Sequence, residues 1–262
     1  MDTPTLNTFT FVAPSGTEYT IREQNGQDEE IISNQAEARR GMSITNYLQG
    51  IILSTSRKAG KLTLKEVMGL PTLDRMCIIL QSRIFSLGEE LEFSHRWPKG
   101  EDTDQFDEFE YSQDLQEYLL SDYANPENIT EEELQVKPKA LPVYVQDPFV
   151  PIEHTLKSGK HIRFHASNGY TELAVIKLRD TEQTRNSELI LRELELEVDG
   201  KWERVLNFAL FSSRDMGELR KLVNTVDPTA DPTTVISNPE TGEKLTLSLF
   251  AIPTFFFLEE GV

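Results

Sequence analysis

One spacing of glycine-bearing turns occurs twice in this chain and narrows its possible architectures more than any other stretch. The first copy reads Ser15-Gly16, eight residues, Asn25-Gly26, two residues, Glu29. The second reads Ser158-Gly159, eight residues, Asn168-Gly169, two residues, Glu172, with no insertion. An apolar segment precedes each copy (Phe9 to Val12; Pro151 to Leu156) and another follows it (Ile31-Ile32; Leu173 to Leu178). Glycine turns flanking an alternating run read as a hairpin, a second turn and a further element. The economical interpretation is one unit used twice, with Gly16, Gly26, Gly159 and Gly169 as its turn glycines.

Along the chain, Asn7 to Pro14 and Glu18 to Glu23 alternate as hairpin arms. Gln27 to Arg40 is polar, with Asp28-Glu29-Glu30 where a helix start favours negative charge. A short helix opens at Ser43, with Ile44, Tyr47, Leu48 and Ile51 on one face. The strongest helix starts at Pro71-Thr72: Leu73, Met76, Cys77, Leu80, Ile84 and Leu87 recur at helical spacing, Arg83 lies near its end, and Gly88 stops it. Leu91, Phe93, His95 and Trp97 then alternate as one face of a strand. The acidic run Glu101 to Glu108 reads as a loop leading to a strand at Phe109 to Tyr111, and Asp114 to Asp122 reads as helical. Pro126, Pro138, Pro142 and Pro148 mark a linker.

The second half repeats this order. Its hairpin is Ile152 to Leu156 with His161 to His165. Asp199-Gly200 is a type I′ hairpin signal between Leu189 to Val198 and Trp202 to Phe208. A helix from Ser212 carries Met216, Leu219, Leu222 and Val223 on one face. Val235-Ile236 and Leu245 to Phe250 form a closing hairpin around Asn238 to Gly242. Asp74 and Asp215 take matching first-turn positions in the two strong helices. The expected fold is therefore α+β, with two tandem related units, each a β-hairpin followed by helices and a trailing strand pair. The expected units are residues 1–125 and 149–262, joined by a linker at 126–148.

The 262 residues allow a sizeable core. The formal charge of -18 opposes direct contact with nucleic acid phosphates or anionic lipid. Cys77 is the only cysteine, so no intrachain disulfide forms. The start lacks a signal peptide pattern, and the most apolar window, Leu245 to Leu258, is too short to span a bilayer.

Few residues suggest chemistry. His161 and His165, four apart in a strand, are separated by roughly 13 Å and cannot share one metal. Cys77 lies inside an apolar helix stripe and reads as a packing residue. The acidic run Asp102, Asp104, Asp107 lacks the glycine and glutamate spacing of a calcium loop. Glu89-Glu90 and Glu195-Glu197 read as solvated acids. No nucleotide, zinc-protease or nucleophile-elbow motif occurs. The expectation is a non-enzyme without cofactor or metal.

The order of these motifs resembles the baseplate hub and tail-assembly proteins of contractile-tailed bacteriophages. The resemblance rests on Ser15-Gly16, Tyr19, Ile21-Arg22 and Gly26-Gln27-Asp28-Glu29, followed by Leu70, Asp74-Arg75, Ile78-Ile79, Arg83 and Ser86-Leu87-Gly88. Many relatives in that group carry a CPxCG zinc knuckle. Here Ser94 to Gly100 and Asn238 to Gly242 stand in those places without cysteines, so the zinc is not carried over.

The resemblance implies a structural tail component, most of all a baseplate protein of the virion, assembled with other tail proteins in a hetero-oligomer. It leaves a tail-assembly chaperone, absent from the mature virion, as one alternative. A metal-dependent hydrolase using Asp102, Asp104 and Asp107 is another. Near the chain end, Phe255, Phe256 and Phe257 follow one another. As a surface strand they would show one face to a neighbouring subunit.

Overall fold

Gly16 and Gly159 each sit at a left-handed φ, of 77° and 86°, which a glycine adopts without strain. Each closes a tight turn with matching backbone bonds. Gly16 N–H donates to Ala13 and Ala13 N–H to Thr17, while Gly159 N–H donates to Leu156 and Leu156 N–H to Lys160. These turns join β1 (Thr8–Val12) to β2 (Glu18–Arg22), and β6 (Ile152–Thr155) to β7 (His161–Phe164). The computed structural model describes residues 7–99, 102–119, 140–178, 186–230 and 232–257, with only the backbone at 102–104. Most of the expected linker, and the ends of both expected units, lie outside the described residues.

Helices follow each hairpin. Asn25 caps α1 (Gly26–Ser33), and Asn168 caps α6 (Gly169–Lys177), so Gly26 and Gly169 are first helical residues rather than turn residues at positive φ. Next come α2 (Gln35–Arg40), α3 (Ser43–Ile51), β3 (Ile52–Thr55), α4 (Leu64–Met68) and α5 (Thr72–Leu87). After α6 the chain forms α7 (Ser187–Leu191), β8 (Glu195–Val198), β9 (Lys201–Arg204) and α8 (Ser213–Val226). Asp199 and Gly200, both at positive φ, turn β8 into β9 as a type I′ hairpin requires. Closing hairpins are β4 (Glu90–Lys99) with β5 (Asp102–Asp114), and β10 (Thr233–Ser237) with β11 (Lys244–Ser248). The class is α+β, and all strand pairs are antiparallel, in sheets ordered β1-β2-β3, β6-β7-β8-β9, β4-β5 and β10-β11.

One contact recurs in the two halves. Asp74 and Asp215 each occupy the third position of their helices. Ser15 donates to Asp74 from its backbone N–H (2.9 Å) and its hydroxyl (2.6 Å), and Lys160, the residue after Gly159, donates to Asp215 at 2.9 Å. In both halves the hairpin turn is thus fastened to the start of the strong helix. They also differ: among the described residues α2 and α4 have no counterpart in the second half, and the second sheet has an extra strand, β9.

Two cores form. The second gathers Ile162, Phe164, Leu194, Leu219 and Val223, and its last member is Val226. The first gathers Tyr19, Leu48, Ile78, Leu91 and Leu115, and also Ile236, Leu249, Ile252, Phe255 and Phe256. The closing hairpin of the second half therefore packs on the first half. Tyr118 donates to the Thr233 carbonyl and Thr234 to the Gln113 side chain, which holds β10 against β5 and the 3₁₀ turn Leu115–Tyr118.

Between the cores lies a polar joint. Thr72 N–H donates to the Ser167 carbonyl. The buried Arg75 pairs with Glu172 at 2.9 Å and donates to Val67 and Thr45. Asp227, 1% exposed, accepts from both the backbone and hydroxyl of Ser167 and pairs with Arg192. The Tyr144 hydroxyl accepts from Leu73 N–H, and burial pushes its pKa up.

Two expectations are corrected. Of the acidic run read as a loop, Glu101 lies outside the described residues and residues 102–108 are part of β5, paired with β4 as far as Trp97 opposite Asp107 and Pro98 opposite Phe106. Pairing along a ten-residue partner overrides a weak local signal there. The C-terminal phenylalanines form no strand: Pro253–Phe255 is a 3₁₀ turn, Phe255 is fully buried and Phe256 is 6% exposed. No helix among the described residues is long and apolar enough to cross a membrane.

Candidate partner-binding groove

The β4–β5 ribbon is two-faced because side chains alternate along each strand. Leu91, Phe93 and Trp97 are buried, while Glu90, Glu92, Ser94 and Arg96 are exposed; on β5, Glu108, Glu110, Ser112 and Asp114 continue the exposed face. Register sets Glu92 opposite Ser112, Ser94 opposite Glu110 and Arg96 opposite Glu108. The buried face is tied down by polar contacts: Trp97 Nε1 donates to the Tyr111 hydroxyl at 2.8 Å, and that hydroxyl donates to the Ser237 carbonyl at 3.1 Å. Phe93 stacks on Tyr111 with centroids 5.7 Å apart.

Where this ribbon meets the end of α5 and the C-terminal turn, it borders a groove of about 840 Å³. Glu90 to Ser94 except Leu91, Glu108, Glu110 to Ser112, Arg83, Leu87, Thr254 and Phe257 line it. Thr254 donates to the Glu92 carbonyl at 2.7 Å, which fixes the C-terminal turn against β4. Ser94 and Arg96 hydrogen bonds hold the Glu108 carboxyl below the usual carboxylate range. Ser112 donates to Glu90 at 2.8 Å. Glu92 and Glu110 have no side-chain partner among the described residues.

Arg83 lies in the groove wall at 4% exposure. Its guanidinium donates to the carbonyls of Gly88 (2.7 Å) and Glu90 (3.3 Å), beyond the end of its own helix, and its Nε has no partner among the described residues. Burial lowers its pKa, and no carboxylate among the described residues pairs with it.

Of the residues singled out in the sequence, Gly16 and Gly159 shape tight turns and bear no ligand geometry. Gly169 is pinned by a close approach, since a Cβ there would stand 2.9 Å from the Met68 carbonyl oxygen. A Cβ at Gly26 would meet nothing within 4 Å. Phe255 and Phe256 belong to the chain's own core, so the expected docking face of three phenylalanines is corrected: only Phe257 is half-exposed, and it lines the groove.

His161 Nδ1 lies 2.8 Å from Glu197, His154 lies 3.5 Å from Glu218, and His165 falls one residue past β7. Glu195 pairs with Arg163, so these acids answer cross-strand basic groups. Cys77 is buried, and burial raises its thiol pKa. Asp107 pairs with Lys99 at 2.6 Å, and no cluster of three or more metal-ligating side chains occurs among the described residues.

Sequence reading passed over Glu92, Glu110 and the environment of Arg83. The available signal was the pair of Glu-x-Glu patterns at 90–92 and 108–110, which strand alternation places on one face. No family model, curated protein or solved structure matches the chain.

Proposed function

We propose that this chain is a structural component of a contractile bacteriophage tail, in the hub region of the baseplate, where it binds neighbouring tail proteins. The supporting observation is where the motif residues behind the resemblance fall. Ser15 and Tyr19 both bind Asp74, at 2.6 and 2.8 Å. Arg22 grips the buried Asp28 through two guanidinium nitrogens, at 2.6 and 2.8 Å. Arg75 fastens α5 to α6 through Glu172. The motif is a buried polar skeleton that fixes elements relative to one another. Such a skeleton suits a protein whose work is to present fixed surfaces. On this reading the two halves descend from one duplicated unit, with Asp74 and Asp215 as its common anchor.

Mass spectrometry of purified mature tails, followed by locating the chain in the intact tail by electron microscopy, tests the proposal. The expected result is a fixed copy number at the baseplate. Presence during assembly but absence from mature particles would replace it with a chaperone role, and absence from both would overturn it.

A further inference from the structure

We infer that the groove beside the β4–β5 ribbon receives an extended basic segment of a partner protein, with its lysine or arginine side chains on Glu92 and Glu110. The inference rests on the chemistry of the groove and stands apart from whether the assembly is a tail.

Spacing carries the first part. Glu92 lies opposite Ser112, and Glu110 opposite Ser94, so the two glutamates are diagonal neighbours on one face. Diagonal pairs across a ribbon stand about 7 Å apart. Same-face side chains of an extended chain are also about 7 Å apart. An extended segment with basic residues at alternate positions therefore meets these carboxylates in register. The groove borders residues 90–94 of β4 and 108–112 of β5, about 13 Å of strand, enough for several residues of such a segment.

Arg83 supplies an independent observation. Its Nε is a buried donor with no acceptor among the described residues, and leaving such a group unmatched is costly. Protein interiors seldom keep one, and of the four such atoms among the described residues this one belongs to a residue that lines the groove, where a partner can bring an acceptor. An extended segment presents backbone carbonyls along its length, and one of them suits this donor after a small shift of the guanidinium. A free cation would satisfy the glutamates but offers nothing to Arg83. The half-exposed side chains of Leu87 and Phe257 in the groove wall give the intervening apolar side chains a place to rest.

The test uses fluorescence anisotropy with a labelled synthetic peptide alternating lysine and valine, titrated with the full chain at low salt. A second peptide of the same composition has its lysines and valines in separate blocks. The protein variants are Glu92→Gln with Glu110→Gln, and a charge-matched control, Glu29→Gln with Glu30→Gln, on the exposed face of α1. Both pairs keep side-chain size, and circular dichroism verifies their folding.

The alternating peptide is expected to bind more tightly than the blocked one. The groove pair should weaken it by about fivefold, about 1 kcal/mol for the two ion pairs together, while the control stays within about twofold. Equal losses in both variant pairs would show diffuse attraction to an acidic surface and overturn the inference. Equal affinity for the two peptides would remove the extended seat. No measurable binding of either peptide would overturn it as well.

Discussion

Asp74 and Asp215 hold the same position in their helices and are each bound from a glycine hairpin turn, yet their carboxyl groups are shifted in opposite directions. Burial dominates at Asp74 and raises its pKa, despite hydrogen bonds from Ser15 and Tyr19. At Asp215, hydrogen bonds from Lys160, Ser158 and Ser212 lower it. A depressed folded-state pKa adds stability above the unfolded-state pKa, near 3.9, and that stability is lost as pH falls. A raised pKa does the reverse: its favourable contribution is full below the unfolded pKa and is lost as pH rises through the folded value. Asp215→Asn should therefore cost most at neutral pH and progressively less below about pH 4. Relative to wild type, Asp74→Asn should gain ground as pH rises. Urea unfolding of both variants across an acid-to-neutral series checks the opposite slopes. The glycines divide as sharply. Gly169→Ala drives a Cβ into the Met68 carbonyl oxygen and Arg75 and should cost about 1–3 kcal/mol. Gly26→Ala enters open space at an ordinary φ and should leave the urea midpoint unchanged or slightly raised.

At the scale of elements, the joint between α5 and α6 is asymmetric in a way mutation can read. Arg75 is 3% exposed and makes three separate side-chain contacts, whereas Glu172 is a third exposed. Arg75→Ala should cost about 2–4 kcal/mol by leaving buried acceptors unmet, while Glu172→Gln should cost at most about 1 kcal/mol. The difference in urea midpoints measures it. Elements of this kind were legible where their signals are local. The turns at Ser15-Gly16 and Asp199-Gly200 follow from glycine conformation. The start of α8 follows from Ser212 and Asp215, which form a capping box, and α5 from its apolar spacing. The first part of β5 was not legible, because Asp102 to Glu108 carries no apolar alternation and becomes a strand only by pairing with β4. The groove was half legible: both Glu-x-Glu patterns stand in the sequence, but nothing local says that β4 and β5 align them, or that Arg83 lies beside them with no carboxylate partner among the described residues. The three phenylalanines were noticed and misplaced, since Pro253 favours a turn and a continuous apolar run does not reveal what it packs against.

For the whole molecule, the decisive feature is the path of the chain through its two cores. It builds most of the first core, then all of the second, and returns with residues 233–257 to complete the first. Phe256 packs edge-on to Tyr47 at 5.8 Å, and its carbonyl accepts from Gln24, so the last described turn reaches the opening hairpin and α3. Burying a phenylalanine contributes roughly 1.5–3 kcal/mol, and Phe255 and Phe256 together supply an appreciable part of a typical stability of about 5–15 kcal/mol. Removing residues 253–262 should therefore lower stability by several kcal/mol, visible as an earlier urea midpoint or outright loss of the cooperative transition. The proline-rich stretch at 126–148 also cannot act as a clean boundary between self-sufficient halves. A fragment of residues 1–148 lacks Ile236, Leu249, Ile252, Phe255 and Phe256, and it exposes the apolar surface they cover. Expressed alone, it should show weak near-ultraviolet dichroism and no sharp unfolding transition. Co-expression with residues 149–262 should restore both, because the second fragment carries the missing side chains and the joint at Arg75, Tyr144 and Asp227 can reform around it. A sharp, stable transition for residues 1–148 alone would show that the returning segment is dispensable to the first core.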